Sequence, residues 1–396
     1  MIDGEHYVPV VRAALAELPY EFVAAFVAGG TEKLREPAGR EEYGVPLVTG
    51  IEEGVALHGP DVVVDLSDEP VLSPSARLLL ASRSLACGVP YVGADFRFEP
   101  PALEPFPLPS LAVFGTGKRV GKTAVTGHLA RLLARDRDVL VVAMGRGGPP
   151  EPEVVEVAPT VADLLERSRA GHHAASDHLE TAALAGVPTI GCRRCGGGLA
   201  GATFVSNVPA GVELAVERGA DVVVFDGSGA AIPPVATDRR ILVAHDLVSG
   251  LNPYRALISD LVLSTSGEVV VQAGALGRRA LRFDLHLRPV EPLAGRRTAL
   301  FTTGPAVFDH VDEVVFASQN LADRAALRRD LESVDAEVFL VELKAAAIDV
   351  VAEAAAERGV EVMLAAYDVG APGLDEALLE LAELANGARE RENLAR

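Results

Sequence analysis

The sequence predicts an α/β protein: a central, mostly parallel sheet flanked by two smaller α/β units. Three observations support this. Short β-branched runs alternate with longer Ala/Leu/Arg segments along the whole chain. One run leads into a glycine-rich loop, and an amphipathic segment follows at once. Two proline-rich stretches divide the 396 residues into three parts.

The first part, residues 1–100, contains strand-like runs at 22–27, 45–48 and 61–66. The second holds Pro46, so it is at best an edge strand. Residues 98–110, FEPPALEPFPLPS, place five prolines in thirteen positions and form a stiff, non-helical connector. The second part, 110–290, has runs at 111–114, 139–143, 221–225, 241–244 and 261–264. They are apolar on both faces, as central parallel strands are, and the segments between them read as crossover helices. A softer boundary lies at 287–297, LRPVEPLAGRR. The last part, 298–396, has runs at 299–302, 313–316, 337–341 and 361–364, and a charged tail from Gly387 expected to fray.

Composition narrows the partners. Apolar residues make up 49% and charged residues 23%, which excludes a disordered or fibrous chain. The 56 acidic and 36 basic residues give a net charge of −20, which argues against nucleic acid and anionic membrane as partners. Small polyanions remain, because local charge matters more for them than the total. Lysine occurs only at Lys33, Lys118, Lys122 and Lys344. The three cysteines, Cys87, Cys192 and Cys195, are too few for a disulfide framework, and no apolar run approaches the ~18 residues of a membrane span. The first ten residues carry no basic-then-apolar signal, so a soluble, cytoplasmic protein is expected.

The strongest chemical signal is LAVFGTGKRVGKTAVTGHLARLL, 111–133. Gly115, Thr116, Gly117, Lys118, Arg119, Val120, Gly121, Lys122 and Thr123 join strand to helix. Such a loop folds backbone N–H groups around a phosphate chain, and the helix N-terminus adds its own free N–H groups. Lys122 would reach the β- and γ-phosphates of ATP, and the Thr123 hydroxyl would hold Mg²⁺. GTxxxVGKT resembles the variant loop of dethiobiotin synthetase, which implies a P-loop NTPase-like core of the dethiobiotin synthetase/MinD kind. That architecture expects an acid at the end of a later strand. Asp226, in DVVVFDGSG, supplies it as a ligand of Mg²⁺ or of its water shell.

Three more segments suit anion binding. Arg146 lies among Gly145, Gly147 and Gly148 at a strand end. His172, His173 and His178 fall within seven residues. Arg193 and Arg194 stand between Cys192 and Cys195 ahead of three glycines, and guanidinium forks suit phosphate. A zinc site built from the Cys-x-x-Cys and the histidines competes with this reading. A second Cys-x-x-Cys is missing, however, and arginines between the thiols would repel a cation.

Together, GTGKRVGKTAVTGHLARLL, VVAMGRGGPPEPEVV and GHHAASDHLETAALAGVPTIGCRRCGGGLAG resemble the cyclic 2,3-diphosphoglycerate synthetase family, as does the opening Asp3-Gly-Glu-His-Tyr7. The resemblance spans nearly the whole chain and is densest over 111–229. It implies ATP-driven closure of 2,3-diphosphoglycerate to its cyclic anhydride, releasing ADP and phosphate. Lys118, Lys122, Asp226, Arg193, Arg194, His172 and His173 are then the candidate catalytic residues. Arg146, His178 and the same arginines and histidines are candidates for holding the substrate. A homo-oligomer, most simply a dimer, is expected. Two alternatives stay open: a dethiobiotin-synthetase-like ligase and a nucleotide-driven metallochaperone switch. A guanine-reading Asn-Lys-x-Asp is absent. Asn252-Pro-Tyr-Arg255 reads either as a nucleotide or subunit contact or, more simply, as a capped turn.

Overall fold

The computed structural model describes residues 1–30, 43–293 and 295–395, with side chains as far as 387. Lys33 lies outside the described residues. The chain forms two compact units: Met1–Ala102 with Asp246–Ser259 and Gln272–Arg278, and the remainder.

The first unit carries α1 (Val8–Glu17), α2 (Ile51–His58) and α3 (Pro74–Ala86) around a small sheet of β1 (Val63–Val64), β2 (Tyr91–Val92) and β3 (Arg97–Phe98). Ser73 caps α3 by accepting from the Ala76 N–H, and Pro74 occupies its first turn. The runs expected at 22–27 and 45–48 form only single bridges, Ala25–Leu47 and Ile2–Val27. Pro46 has no N–H to extend the first of these into a ladder. Asp3 is buried and accepts from the backbone N–H groups of Glu5, His6 and Asp68, so the opening motif folds as a local turn around one carboxylate. The flagged run 252–255 opens a later helix of this unit, α8 (Asn252–Leu257). Arg255 is buried there and donates to the Leu251 carbonyl.

The second unit holds the large sheet. Its parallel strands are β5 (Ser110–Gly115), β6 (Val139–Gly145), β8 (Thr189–Cys195), β10 (Val222–Asp226), β12 (Arg239–Val243), β13 (Leu261–Ser264) and β14 (Ala280–Arg282). The order is β14-β13-β12-β5-β10-β6-β8-β7, where the edge strand β7 (Glu153–Val155) is antiparallel, as is β9 (Val205–Ser206) beside β8. A short pair, β4 (Glu104–Pro105) with β11 (Val235–Ala236), stands apart. The helices are α4 (Lys122–Leu133), α5 (Val161–Arg169), α6 (Asp177–Ala185), α7 (Val208–Arg218) and the start of α9 (Gly267–Ala275), whose residues from Gln272 on count with the first unit. From β5 the chain runs to β6 on one side and later returns through β12 on the other. The carboxyl end of β5 is therefore a topological switch point, where open α/β sheets bind ligands.

Every residue of β5, β6 and β10 is buried, as their uninterrupted apolar runs require. Val125, Leu129 and Leu133 of α4 and Leu374, Leu378 and Leu381 of the last helix, α12 (Leu374–Ala395), share one core with Leu111, Val113 and Val224. Each such side chain contributes about 1.5–3 kcal/mol by burial.

A second sheet in this unit orders β15 (Asp284–Pro289), β19 (Glu361–Gly370), β18 (Val338–Glu342), β16 (Thr298–Phe301) and β17 (Val314–Ser318). It is parallel except for β15 against β19. It carries α10 (Arg324–Ser333), a π-helical stretch (Ala347–Ala352) and α11 (Glu353–Arg358). The boundary expected at 287–297 thus begins inside β15. Its Arg/Pro composition hides the fact that Leu287 is fully buried against β19. The tail expected to fray continues α12 to Ala395, since its Ala, Arg and Glu are good helix formers.

Candidate active site

Strand β5 ends at Gly115, and α4 begins at Lys122. Between them the backbone turns sharply: Arg119 has φ 60° and Gly121 φ 93°. At Gly121 a Cβ would be strained by that dihedral and would press on Phe283 at 3.1 Å, so glycine is required there. Lys118 and Arg119 are exposed, with no side-chain hydrogen bond or ion pair among the described residues. The loop's start is clamped. Gly115 N–H donates to the Gly229 carbonyl (3.1 Å) and Thr116 N–H to Val243 (3.2 Å). The Thr116 hydroxyl accepts from the His245 N–H at 3.1 Å and stands 2.8 Å from His245 Nδ1, which fits donation to that nitrogen.

Lys122 is buried, and its Nζ donates to Asp226 Oδ1 at 2.6 Å. Thr126 donates to the same oxygen at 2.8 Å. Asp226 Oδ2 is buried without a hydrogen-bond partner among the described residues. Burial raises the Asp226 pKa and Lys122 opposes the rise.

Beyond Asp226, the chain turns through Ser228 and Gly229. Arg194 is buried and donates through Nη2 to the Ser228 carbonyl at 2.7 Å. A Cβ on Gly229 would lie 3.0 Å from Arg146 Nη2 and 3.8 Å from Arg194 Nη2, so two guanidinium groups flank the residue whose carbonyl clamps the loop. Burial, then Arg146, lowers the Arg194 pKa, while Asp177 at the start of α6 raises it. His173 joins this group. A Cβ on Gly147 would lie 3.1 Å from its ring, and its Nδ1 accepts from the Ala175 N–H, so a neutral ring carries its proton on Nε2.

A second lysine–carboxylate group stands next to the first. Glu180 of α6 is buried, 3.4 Å from Lys344 Nζ at the end of β18. Burial pushes the Glu180 carboxyl up to about 7; Lys344 opposes this, and Asp177 and Glu342 add to it. Lys344 sits above its usual range: burial pulls it down, but Glu180 and Glu342 outweigh that. Glu342 accepts from the Tyr367 hydroxyl and from the Thr303 N–H. Glu180 and Tyr367 line one cleft with Thr123 and Arg131 of α4.

Three family models match the chain: the cyclic 2,3-diphosphoglycerate synthetase N-terminal domain over 1–99, its P-loop domain over 110–275 and its C-terminal domain over 289–367. Curated relatives named cyclic 2,3-diphosphoglycerate synthetase match nearly end to end. The protein of Rubrobacter xylanophilus is 46% identical over 98% of both chains. That of Thermococcus kodakarensis is 40% identical over 98% of this chain and 99% of its own. That of Methanothermus fervidus is 37% identical over 97% and 96%.

The chain belongs to the cyclic 2,3-diphosphoglycerate synthetase family.

Among solved structures, the "apo" form of LpxK from Aquifex aeolicus in complex with ATP covers 72% of this chain and 90% of its own. At 16% identity and a TM-score of 0.44, it carries no argument about this one. The P-loop core of this family member rests instead on its own strand, loop and helix.

The structure corrects the local reading around the double arginine. Residues 191–195 are the end of β8, and side chains alternate faces along a strand. Arg194 is buried beside Ser228, whereas Arg193 is exposed, with no side-chain partner among the described residues. Cys192 and Cys195, three apart, face oppositely. Cys192 packs on Gly211 with its thiol pushed by burial up to about 12, and Cys195 is exposed. Thiols on opposite faces of β8 cannot close on one zinc ion, so the zinc reading of the Cys-x-x-Cys fails. His178 is 2% exposed in the α6–β8 seam, where a Cβ on Gly191 would lie 2.5 Å from its ring. Burial pushes its pKa down to about 4, although Glu153, 3.6 Å from Nε2, opposes this. It is neutral near pH 7 and unsuited to donating charge to a phosphate. His172 is exposed, without a side-chain partner among the described residues.

Sequence reasoning missed His245, Asp177, Glu180, Lys344 and Tyr367. The scarcity of lysine was a signal for Lys344. No spacing rule pointed to the others.

Proposed function

We propose that the chain closes 2,3-diphosphoglycerate into cyclic 2,3-diphosphoglycerate at the expense of ATP, releasing ADP and orthophosphate. The observation that carries this reading is the buried Lys122 at the head of α4, held on Asp226 where a triphosphate would enter, in a chain with the family's three domains. In this reading 1–100 is an N-terminal α/β domain, 110–290 the phosphate-loop domain and 298–396 a C-terminal α/β domain. The protein works in the cytoplasm, as a dimer.

The acceptor is a phosphate that is already ionised, so no strong general base is needed. Catalysis is positioning and charge neutralisation. The backbone of 115–123 and Lys122 hold the ATP phosphates, while Lys118 and Arg119, free on the surface, close over them. One substrate phosphate takes the γ-phosphoryl group and ADP leaves. The second substrate phosphate then attacks the inner phosphorus of that diphosphate, closing the ring and expelling the former γ-phosphate. Arg146 and Arg194 neutralise the acceptor, while Arg193, on the other face of β8, and the exposed His172 add only long-range charge to the approaching substrate. His173, with its proton on Nε2, donates a hydrogen bond to the leaving phosphate. His178 shapes the seam behind them.

The residues present fit a Mg²⁺ ion. Asp226 keeps one buried carboxylate oxygen unpartnered, and Asp177 adds charge to the same region. Asp226 and Thr123 would hold the ion, which supplies charge neutralisation to the β- and γ-phosphates when bound.

Incubation with Mg-ATP and 2,3-diphosphoglycerate, followed by ³¹P NMR, tests the reading. A cyclic diphosphate resonance appearing with equimolar ADP is expected. Unconsumed substrate would sink it. With γ-¹⁸O-ATP, the label is expected in free phosphate. Label in the cyclic product, with none in free phosphate, would show this order of transfers to be wrong.

A further inference from the structure

We infer that His286, Asp309 and His310 form a binding site for a divalent transition-metal ion of the zinc class. His286 lies on the edge strand β15, in register with Asp368 of β19 and bridged to Val307. That bridge brings the following chain, Asp309-His310, back over the His286 side chain. His286 Nδ1 stands 3.1 Å from both carboxylate oxygens of Asp309, and His310 Nε2 is 3.8 Å from Asp309 Oδ1. One donor atom from each residue lies within 4.8 Å of the other two. A tetrahedral ion with bonds of ~2.1 Å spaces its ligands roughly 3.4 Å apart, so donors within 4.8 Å of one another need to shift by no more than about 1.4 Å to close on one ion.

The electrostatics point the same way. A neutral His286 ring satisfies Asp309 alone by donating its Nδ1–H to the carboxylate; a metal ion in that place would gather His310 as well. Two imidazoles and one carboxylate are borderline donors, suited to zinc-class ions and poor for Mg²⁺ or Ca²⁺. A further carboxylate stands close by. Asp368 Oδ2 lies 3.9 Å from His310 Nε2, and its other oxygen is held by Arg288 Nε at 2.7 Å. Beside the proposed ligand nitrogen, that carboxylate is positioned to serve as a fourth ligand. His286, Asp309 and His310 are all partly exposed, so an ion has an entry path and a place for water. Binding would clasp the 302–312 segment onto β15, an edge that otherwise offers open backbone groups. None of these residues belongs to the phosphate chemistry proposed above.

The test uses the full chain, stripped with a chelator and dialysed against Zn²⁺, with bound metal measured directly and Co²⁺ absorption read in parallel. One equivalent is expected to bind, with a tetrahedral Co²⁺ spectrum and a melting temperature that rises with Zn²⁺. His286→Ala and His310→Ala should each weaken binding by at least about tenfold. His128→Ala should not, because its imidazole pairs with Asp375 outside the cluster. If one variant fails to fold, the other decides. Absence of a bound equivalent in the wild type identifies a proton-bridged ion pair and overturns the site, as does unchanged Zn²⁺ affinity in the histidine variants.

Discussion

Two lysine–carboxylate pairs in one unit make opposite uses of the same chemistry. Lys122 and Asp226 meet at 2.6 Å, with Thr126 completing the contact. Lys344 and Glu180 approach only to 3.4 Å, and Glu342, bonded to Tyr367, shares the lysine's charge. In the proposed function the first pair is exchanged: an entering triphosphate would claim the ammonium, and a cation would claim the carboxylate. The second ties the end of β18 to α6. A lysine–carboxylate pair is thus a placeholder where both partners have another use, and a joint where they do not.

Removing Lys122 gives the largest expected effect. Lys122→Met should lower kcat by about 10²–10³-fold, the scale of losing one electrostatic contact to the transferring group. It also strands the buried Asp226, at about 3 kcal/mol. Adding Asp226→Asn should restore the melting temperature without restoring turnover. Recovery of both would make the pair merely structural and break the comparison.

The two pairs also show what the sequence can disclose. Lys122 and Asp226 were legible because local pattern determines them. A strand leads into glycines and then a helix, and a second apolar strand ends in Asp. Backbone geometry at a strand end needs little tertiary information. The parallel core and its switch point were legible for the same reason, through uninterrupted apolar runs. Lys344 and Glu180 were not. They lie in separate elements, no spacing rule links them, and only the packing of β18 and β19 against α4 and α6 brings them together. Arg193 and Arg194 fall between these cases. Their composition was visible, but glycines after Cys195 disguised the strand whose alternation separates them. The histidine–aspartate cluster was hidden in turn because its members flank a proline- and arginine-rich stretch that reads as a linker, with His286 before it and Asp309-His310 after it.

That alternation gives the next effect in size. Arg194→Ala should raise KM for 2,3-diphosphoglycerate by roughly 10–100-fold, because a charge-assisted contact is worth about 1.5–3 kcal/mol. Arg193→Ala, on the other face, should raise it by only a few-fold, and both should leave ATP affinity nearly unchanged. Equal effects of the two substitutions would mean that substrate reshapes the end of β8. Loss of ATP affinity would move these arginines to the nucleotide.

The smallest effect isolates the second pair. The folded-state pKa of Glu180 is pushed by burial from 4.5 up to about 7. Across that interval the native protein binds more protons at this site than the unfolded chain, so stability falls as pH rises. The favourable contribution is complete below about pH 4.5 and is lost by the time pH has risen through about 7. Glu180→Gln removes the titration. The melting temperature of the wild type relative to this variant should therefore be higher near about pH 5 than near about pH 8, by a few degrees. Lys344→Met removes the cation that favours the ionised carboxylate, so it should push the midpoint of this loss to higher pH. A wild-type advantage that grows with pH would mean that Glu180 is ionised throughout and that Lys344 holds it as firmly as Lys122 holds Asp226. The distinction between placeholder and joint would then rest on the phosphate loop alone.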